Sequence, residues 1–252
     1  AYGRFRYNLR EYFAEFLGTL ILVTFGDGAV ALAVTNANAK GSGAIIISLG
    51  FAFALMLAVF IASPVSGAHV NPAITLANAL LRGFPWKKVP GYMFAQLFGA
   101  FCGACLVMLF NYPAIDLFDG GIRATSGNLA TAGIFATYPA PNVTIANAFF
   151  IEMLSTTFLI LGILGINDER HGTPSWLAPI ACGFTIGAIS FSTGWLTGFA
   201  LNPARDMGPR LFTMAAGWGT EPFTAANHYF WVPLIAPFFG AIFGIIVYDF
   251  FI

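Results

Sequence analysis

Two short stretches hold the residues best placed to act on a solute. They are Ser66-Gly67-Ala68-His69-Val70-Asn71-Pro72-Ala73 and Thr197-Gly198-Phe199-Ala200-Leu201-Asn202-Pro203-Ala204. Each is polar and kinked inside otherwise apolar sequence, and each ends in Asn-Pro-Ala. That triplet opens a helix. The Asn71 or Asn202 side-chain oxygen accepts from free first-turn N–H groups, and Pro72 or Pro203 takes the first helical position, where its missing N–H costs nothing. The helices predicted to follow are short, Ala73 to about Leu81 and Ala204 to about Met214. About 10 residues at ~1.5 Å rise make a rod of ~15 Å, half of a ~30 Å hydrocarbon core. The chemistry is non-covalent. Backbone that is not helical persists at membrane depth only when it is buried in protein or lines a wet cavity. The carbonyls of Gly67, Ala68, His69 and Val70, and of Gly198, Ala200 and Leu201, lack helical partners and can accept from a polar solute. Two half-helix N-termini meeting at the midplane would each bring about half a positive charge. Such a site accepts neutral hydrogen-bonding solutes and repels cations.

Holding two such loops at one depth requires a bundle of membrane-spanning helices. The 252-residue chain is 58% hydrophobic and only 9% charged, against about 25% charged in an ordinary soluble domain. That points away from a soluble enzyme. A net charge of zero gives no footprint for nucleic acid. A span needs about 20 apolar residues, and hydropathy marks six, at roughly 11–34, 44–62, 88–112, 146–167, 177–194 and 229–252. The fold class is therefore an all-α membrane protein with six transmembrane helices plus two re-entrant half-helices. The first apolar run follows Arg4, Arg6 and Arg10 but is too long for a signal peptide and lacks a cleavage site, so it reads as a true span. A start on Ala1 instead of Met leads us to expect native tails beyond this stretch. Cys102 and Cys105 form a C-x-x-C on a membrane helix, and with Cys182 they read as small packing residues instead of a metal or redox site. No metal, no cofactor and no enzymatic constellation is expected.

The two stretches sit in duplicated context. Ala14-Glu15-Phe16-Leu17-Gly18-Thr19 recurs as Ile151-Glu152-Met153-Leu154-Ser155-Thr156, and Gly50-Phe51 recurs as Gly183-Phe184. The Glu15–Glu152 spacing exceeds the Asn71–Asn202 spacing by a few residues, so the copies differ by a short deletion. Three spans per copy place the copies in opposite orientations, an inverted 3+3 repeat with its site at the midplane. Within a single 1–252 channel domain, repeat one covers about 11–112, an external loop about 113–145 and repeat two about 146–252. Lys and Arg set the orientation. A cytoplasmic N-terminus puts Arg4, Arg6, Arg10, Arg82, Lys87, Lys88 and Arg170 inside, and Lys40, Arg123, Arg205 and Arg210 outside. The external loop then carries Asn142-Val143-Thr144, an N-glycosylation sequon on the permitted side. Glu15 and Glu152 are intramembrane carboxylates, functional by default. Their duplication favours acceptors that hold the re-entrant loops over a proton relay. Gly18, Gly99, Gly103 and Gly187 read as sites of close helix crossing. Arg205 directly follows the second box, and a charge there is costly unless it faces a wet cavity or a partner. Its guanidinium offers several donors to hydroxyl or water oxygens, so the narrowest point is expected beside it.

Paired Asn-Pro-Ala boxes in opposed halves resemble the aquaporin, or major intrinsic protein, family, and the resemblance covers nearly the whole chain. It implies a channel whose opposed half-helix dipoles exclude cations, a homotetramer in membrane lipid, and glutamates that hold the loops through backbone N–H groups. It also implies a four-residue selectivity filter: Phe51, twenty before Asn71; Ser190, twelve before Asn202; Phe199, three before Asn202; and Arg205. Water-selective members carry His at the Ser190 position, whereas bacterial glycerol facilitators carry Trp at the Phe51 position. Two aromatics opposite an arginine make an amphipathic slot that suits glycerol. Asp206, Arg210, Pro233-Leu234 and the stretch Ala132 to Pro141 resemble the aquaglyceroporin branch. The implied function is passive conduction of glycerol and small polyols, and also of water and urea, through a multi-pass protein of the plasma membrane. Two alternatives stand beside it. An orthodox water channel is disfavoured by Ser190 and Asp206. An ion-coupled secondary transporter would need a coupling acid, and the intramembrane acids are the two glutamates and Asp27.

Overall fold

The computed structural model describes residues 2–39, 41–172 and 174–252, Tyr2 by its backbone alone; Lys40, one of the charges placed outside above, lies beyond the described residues. The described residues form nine α-helices and no strand: α1 (Tyr2–Thr35), α2 (Gly43–Ser66), α3 (Pro72–Leu81), α4 (Val89–Asp119), α5 (Ile145–Ile166), α6 (Ala178–Thr197), α7 (Pro203–Thr213), α8 (Glu221–His228) and α9 (Trp231–Phe251). Six of them, α1, α2, α4, α5, α6 and α9, are long and apolar enough to cross a membrane. The short α3 and α7 are the two half-helices that follow the Asn-Pro-Ala boxes.

Two boundaries differ from the hydropathy reading. Helix α1 starts at Tyr2, not near residue 11, because the Arg- and aromatic-rich lead-in contains no proline to stop it. Helix α4 runs through Pro113 to Asp119, although the apolar run ends at 112. Proline removes one helical hydrogen bond, but the turn beyond it is anchored. Ile115 is fully buried, and the buried Asp119 accepts from Gly121 N, Arg123 Nη1 and Thr131 Oγ1. The helix then stops at Gly120, whose φ of 65° is the left-handed conformation that glycine adopts freely. The loop between α4 and α5 thus begins at 120, and its sequon residue Asn142 is exposed in the turn before α5.

The halves are built alike. Helix α1 packs on α2 and α4, α5 packs on α6 and α9, and α2 meets α6 across the two halves. The crossings share one device. A Cβ on Gly99 of α4 would stand 2.3 Å from Phe16 O of α1, and one on Gly240 of α9 would stand 2.1 Å from Met153 O of α5. One turn on, Gly103 faces Leu20 O and Gly244 faces Thr157 O, both at 2.9 Å. Only glycine lets these backbones touch. Gly187 is different, since a Cβ there would make an ordinary 3.5 Å contact with Ala52. The early turns of α1 and the end of α9 lie at one end of the bundle. Lys88 pairs with Glu11 at 2.7 Å, Arg82 pairs with Asp249, and Arg170 Nη1 donates to Ile252 O at 3.0 Å.

Candidate functional site

The site is built from the two loops that α2 and α6 deliver to mid-bundle. Gly67 (φ 84°) ends α2 and Gly198 (φ 80°) ends α6, each donating its N–H back into the helix. Beyond them the backbone keeps returning to the left-handed region, at Ala68 (50°) and Val70 (43°) in one loop and at Phe199 (40°) and Leu201 (55°) in the other. Non-glycine residues there cost on the order of 1–3 kcal/mol each and persist only where the surroundings over-determine them.

Two buried glutamates supply that constraint. Glu15 Oε1 accepts from His69 N at 2.9 Å and Ser66 Oγ at 2.6 Å, while Oε2 accepts from Val70 N at 2.7 Å and Gln96 Nε2 at 2.8 Å. Glu152 Oε1 accepts from Ala200 N at 3.0 Å and Oε2 from Leu201 N at 2.8 Å. The asparagines then tie the loops to each other. Asn71 Oδ1 accepts from Ala73 N, and Asn202 Oδ1 from Ala204 N and Arg205 N, which makes both of them N-caps. Asn71 Nδ2 donates to Leu201 O at 2.9 Å, and Asn202 Nδ2 donates to Val70 O at 2.7 Å. The carbonyls of Val70 and Leu201 therefore already hold one bond each, unlike the fully free acceptors the sequence suggested. Each amide group has a second N–H, and both asparagines line the cavity described next.

A cavity of about 780 Å³ runs from Arg82, Asn167 and Trp176 past both loops to Phe51, Phe199 and Arg205. The loop residues Gly67 to Val70 and Phe199 to Leu201 line it, together with the apolar residues Leu22, Leu55, Leu159 and Ile186. At its far end Phe51 and Phe199 meet edge to face, with centroids 5.1 Å apart at 83°, and Arg205 Cζ lies 4.6 Å from the centre of the Phe51 ring. Gly26 of α1 makes room for Phe51, since a Cβ there would come within 2.4 Å of the ring. Ser190 stands apart from this wall. Its hydroxyl pairs with Ser48 Oγ at 2.8 Å, and a Cβ on Gly194 would meet both Ser190 Oγ, at 3.3 Å, and the Phe199 ring, at 3.0 Å. His69 turns its ring into the protein, with Nδ1 3.1 Å from Thr75 Oγ1 and the ring packed on Phe84 and Tyr92.

Sequence reasoning missed the scaffold beside Arg205. Asp206 is fully buried and accepts from Thr137 N at 2.8 Å, Thr137 Oγ1 at 2.6 Å and Arg210 Nε at 2.8 Å. Arg210 in turn donates to Thr137 O and Pro222 O. The loop between α4 and α5 is thereby fastened to α7, which brings Phe135 O within 3.4 Å of Arg205 Nη1. Asp27 of α1 comes 3.4 Å from Arg205 Nη2. No local pattern marks these partners. The available signals were the resemblance, which marked Asp206, Arg210 and the stretch Ala132 to Pro141 without their contacts, and a lone acid, Asp27, in an apolar run.

Comparison with known proteins places this geometry. The model of the family described as "Major intrinsic protein" matches residues 4–248. The chain is 50% identical over 245 residues to Aquaglyceroporin-2 of Rhizophagus irregularis, covering 97% of this chain and 77% of that one. It is 45% identical to Aquaporin-9 of Homo sapiens over 240 residues, covering 95% and 81%. The solved aquaglyceroporin of Plasmodium falciparum superposes with a TM-score of 0.87 at 34% identity, over 96% of this chain and 95% of that one. Six spans, two half-helices with cross-tied asparagines and a match along nearly its whole length lead to one assignment: the chain belongs to the major intrinsic protein family.

Proposed function

We propose that this chain is a passive channel for glycerol and other small neutral polyols, including urea-sized solutes, that also conducts water and excludes ions and protons. One observation carries the reading: Arg205 lies over Phe51, and Phe199 meets Phe51 edge-on, at the end of the cavity. A three-carbon polyol has one apolar edge and a row of hydroxyls. The aromatic faces suit the carbon edge, and the guanidinium N–H groups with the loop carbonyls suit the hydroxyls. Phe51, Phe199 and Arg205 form the filter. Ser190 completes it as a small residue behind Phe199, leaving width that a larger ring would take. Below it, Asn71 and Asn202 donate to the passing solute, and the carbonyls of Gly67, Ala68, His69, Gly198 and Ala200 accept from it.

Ion exclusion follows from the opposed N-termini of α3 and α7, whose dipoles bring positive potential to the asparagine pair. Glu15 and Glu152 are structural acceptors, since their oxygens already hold loop amides, and we read no enzymatic activity in the chain. The names of its relatives, aquaglyceroporin among them, support the polyol reading. The Lys and Arg distribution supports a cytoplasmic N-terminus, and the plasma membrane is the expectation from the family resemblance. The homotetramer rests on the family resemblance.

The test is stopped-flow light scattering on proteoliposomes challenged in turn with sorbitol and glycerol gradients. Shrinkage under sorbitol, followed under glycerol by rapid re-swelling, is the expected pattern. Fast shrinkage without re-swelling would make this a water-selective channel.

A further inference from the structure

Asp27 has no part in the pathway above, yet its charge is the least compensated in the bundle. It is fully buried, and neither carboxylate oxygen has a hydrogen-bond partner. Glu15 and Glu152 are buried as deeply, but their oxygens hold loop amides. A buried carboxylate with nothing to hold it is unfavourable unless a charge stands opposite. Here that charge is Arg205, whose Nη2 lies 3.4 Å from Asp27 Oδ1, an ion pair without hydrogen-bond geometry. Arg205 has few other options. Its Nε is unpaired, and its Nη1 makes one long contact with Phe135 O at 3.4 Å. The neighbouring acid, Asp206, is committed to Arg210 and Thr137. Gly26, the residue before Asp27, is the one that makes room for Phe51. Two consecutive residues of α1 therefore seat two walls of the constriction, one by shape and one by charge.

We propose that Asp27 is the positioning residue and counter-ion of Arg205. It holds one edge of the guanidinium against α1, so the Nη N–H groups left free stay turned to the solute, and it offsets the fixed positive charge at the constriction. Cation exclusion then rests mainly on the half-helix N-termini, and the constriction acts on neutral solutes through donors and apolar faces. This rests on reading Arg205 as part of the filter.

The pairing makes opposite demands on two variants. Arg205→Val strands a carboxylate in the wall, which should draw cations. Asp27→Asn in that same background removes the charge and should close the leak. Potassium leak and polyol selection are measured in proteoliposomes for wild type, Arg205→Val, Asp27→Asn and the double variant, together with thermal stability of each protein in detergent. The expected result is a potassium leak raised roughly tenfold by Arg205→Val and returned to near wild type in the double variant. Asp27→Asn alone should raise leak of a small anion such as nitrate, and Asp27→Glu should restore it. If a single variant is lost from the membrane, recovery in the double variant supports the pairing, and a double variant no better than the worse single overturns it. A leak in Arg205→Val that ignores Asp27→Asn also overturns it. Unchanged polyol selection in Arg205→Val would instead overturn the filter reading itself.

Discussion

Replacing Glu152 asks what holds the second loop in its left-handed backbone. The carboxylate accepts from Ala200 N at 3.0 Å and Leu201 N at 2.8 Å, in a site with no exposure. Alanine removes both acceptors where water does not reach. A buried donor left unpaired costs about 1–3 kcal/mol, so the pair costs ~2–6 kcal/mol. The loop adds its own strain, since Phe199 and Leu201 sit at φ 40° and 55° with only these bonds and the Asn71 tie to keep them there. Glutamine keeps one acceptor oxygen and turns an N–H₂ toward the other backbone donor, so about half of that loss is expected. Against a total stability of ~5–15 kcal/mol for an ordinary domain, Glu152→Ala approaches collapse while Glu152→Gln folds with reduced stability. The assay heats detergent-solubilised protein and follows the monodisperse fraction, alongside glycerol permeability per inserted channel. The predicted order is wild type, then glutamine, then alanine, with flux falling in step. A Glu152→Ala protein as stable as wild type but without flux would refute the reasoning and make the carboxylate a relay.

Four further outcomes follow from the packing and the filter. Ser190→His puts a larger ring behind Phe199 and in place of the Ser48 contact, so glycerol permeability should fall relative to water in stopped-flow traces; an unchanged ratio would move the constriction elsewhere. Gly240→Ala forces a Cβ to within 2.1 Å of Met153 O and should cost about 1–3 kcal/mol by overpacking. Gly187→Ala meets only Ala52 at 3.5 Å, and should be neutral or stabilising by up to ~1 kcal/mol in thermal melts. Asp206→Asn breaks a fully buried pair with Arg210, a change of about 3–5 kcal/mol. The 132–141 segment should then show faster hydrogen exchange, because Thr137 loses its anchor.

Much of the architecture could be read from residue types alone, because a membrane turns composition into structure. Runs of about 20 apolar residues have to be helices, and Asn-Pro-Ala favours a helix start, with Asn as N-cap and Pro at the first helical position. The duplicated Glu and Asn-Pro-Ala positions carried the inverted repeat. What escaped was everything fixed by contacts far apart in the chain. Pro113 reads as a stop, yet burial of Ile115 and the bonds at Asp119 carry α4 past it. Asp206 could be singled out by its place after Arg205, but its bonds to Thr137 cannot be inferred from spacing. Asp27 stood out as an acid in an apolar run, and only the fold brings it to Arg205. Ser190 was placed by offset alone, and that offset does not reveal that its hydroxyl points at Ser48.

The most direct test of the central claim is the equilibrium level of labelled glycerol in proteoliposomes bearing the wild-type chain, with and without imposed proton and sodium gradients. A passive channel brings internal glycerol to the external concentration and no further, whatever the direction of either gradient. Internal glycerol above the external level under one gradient would contradict the account and make the chain an ion-coupled transporter.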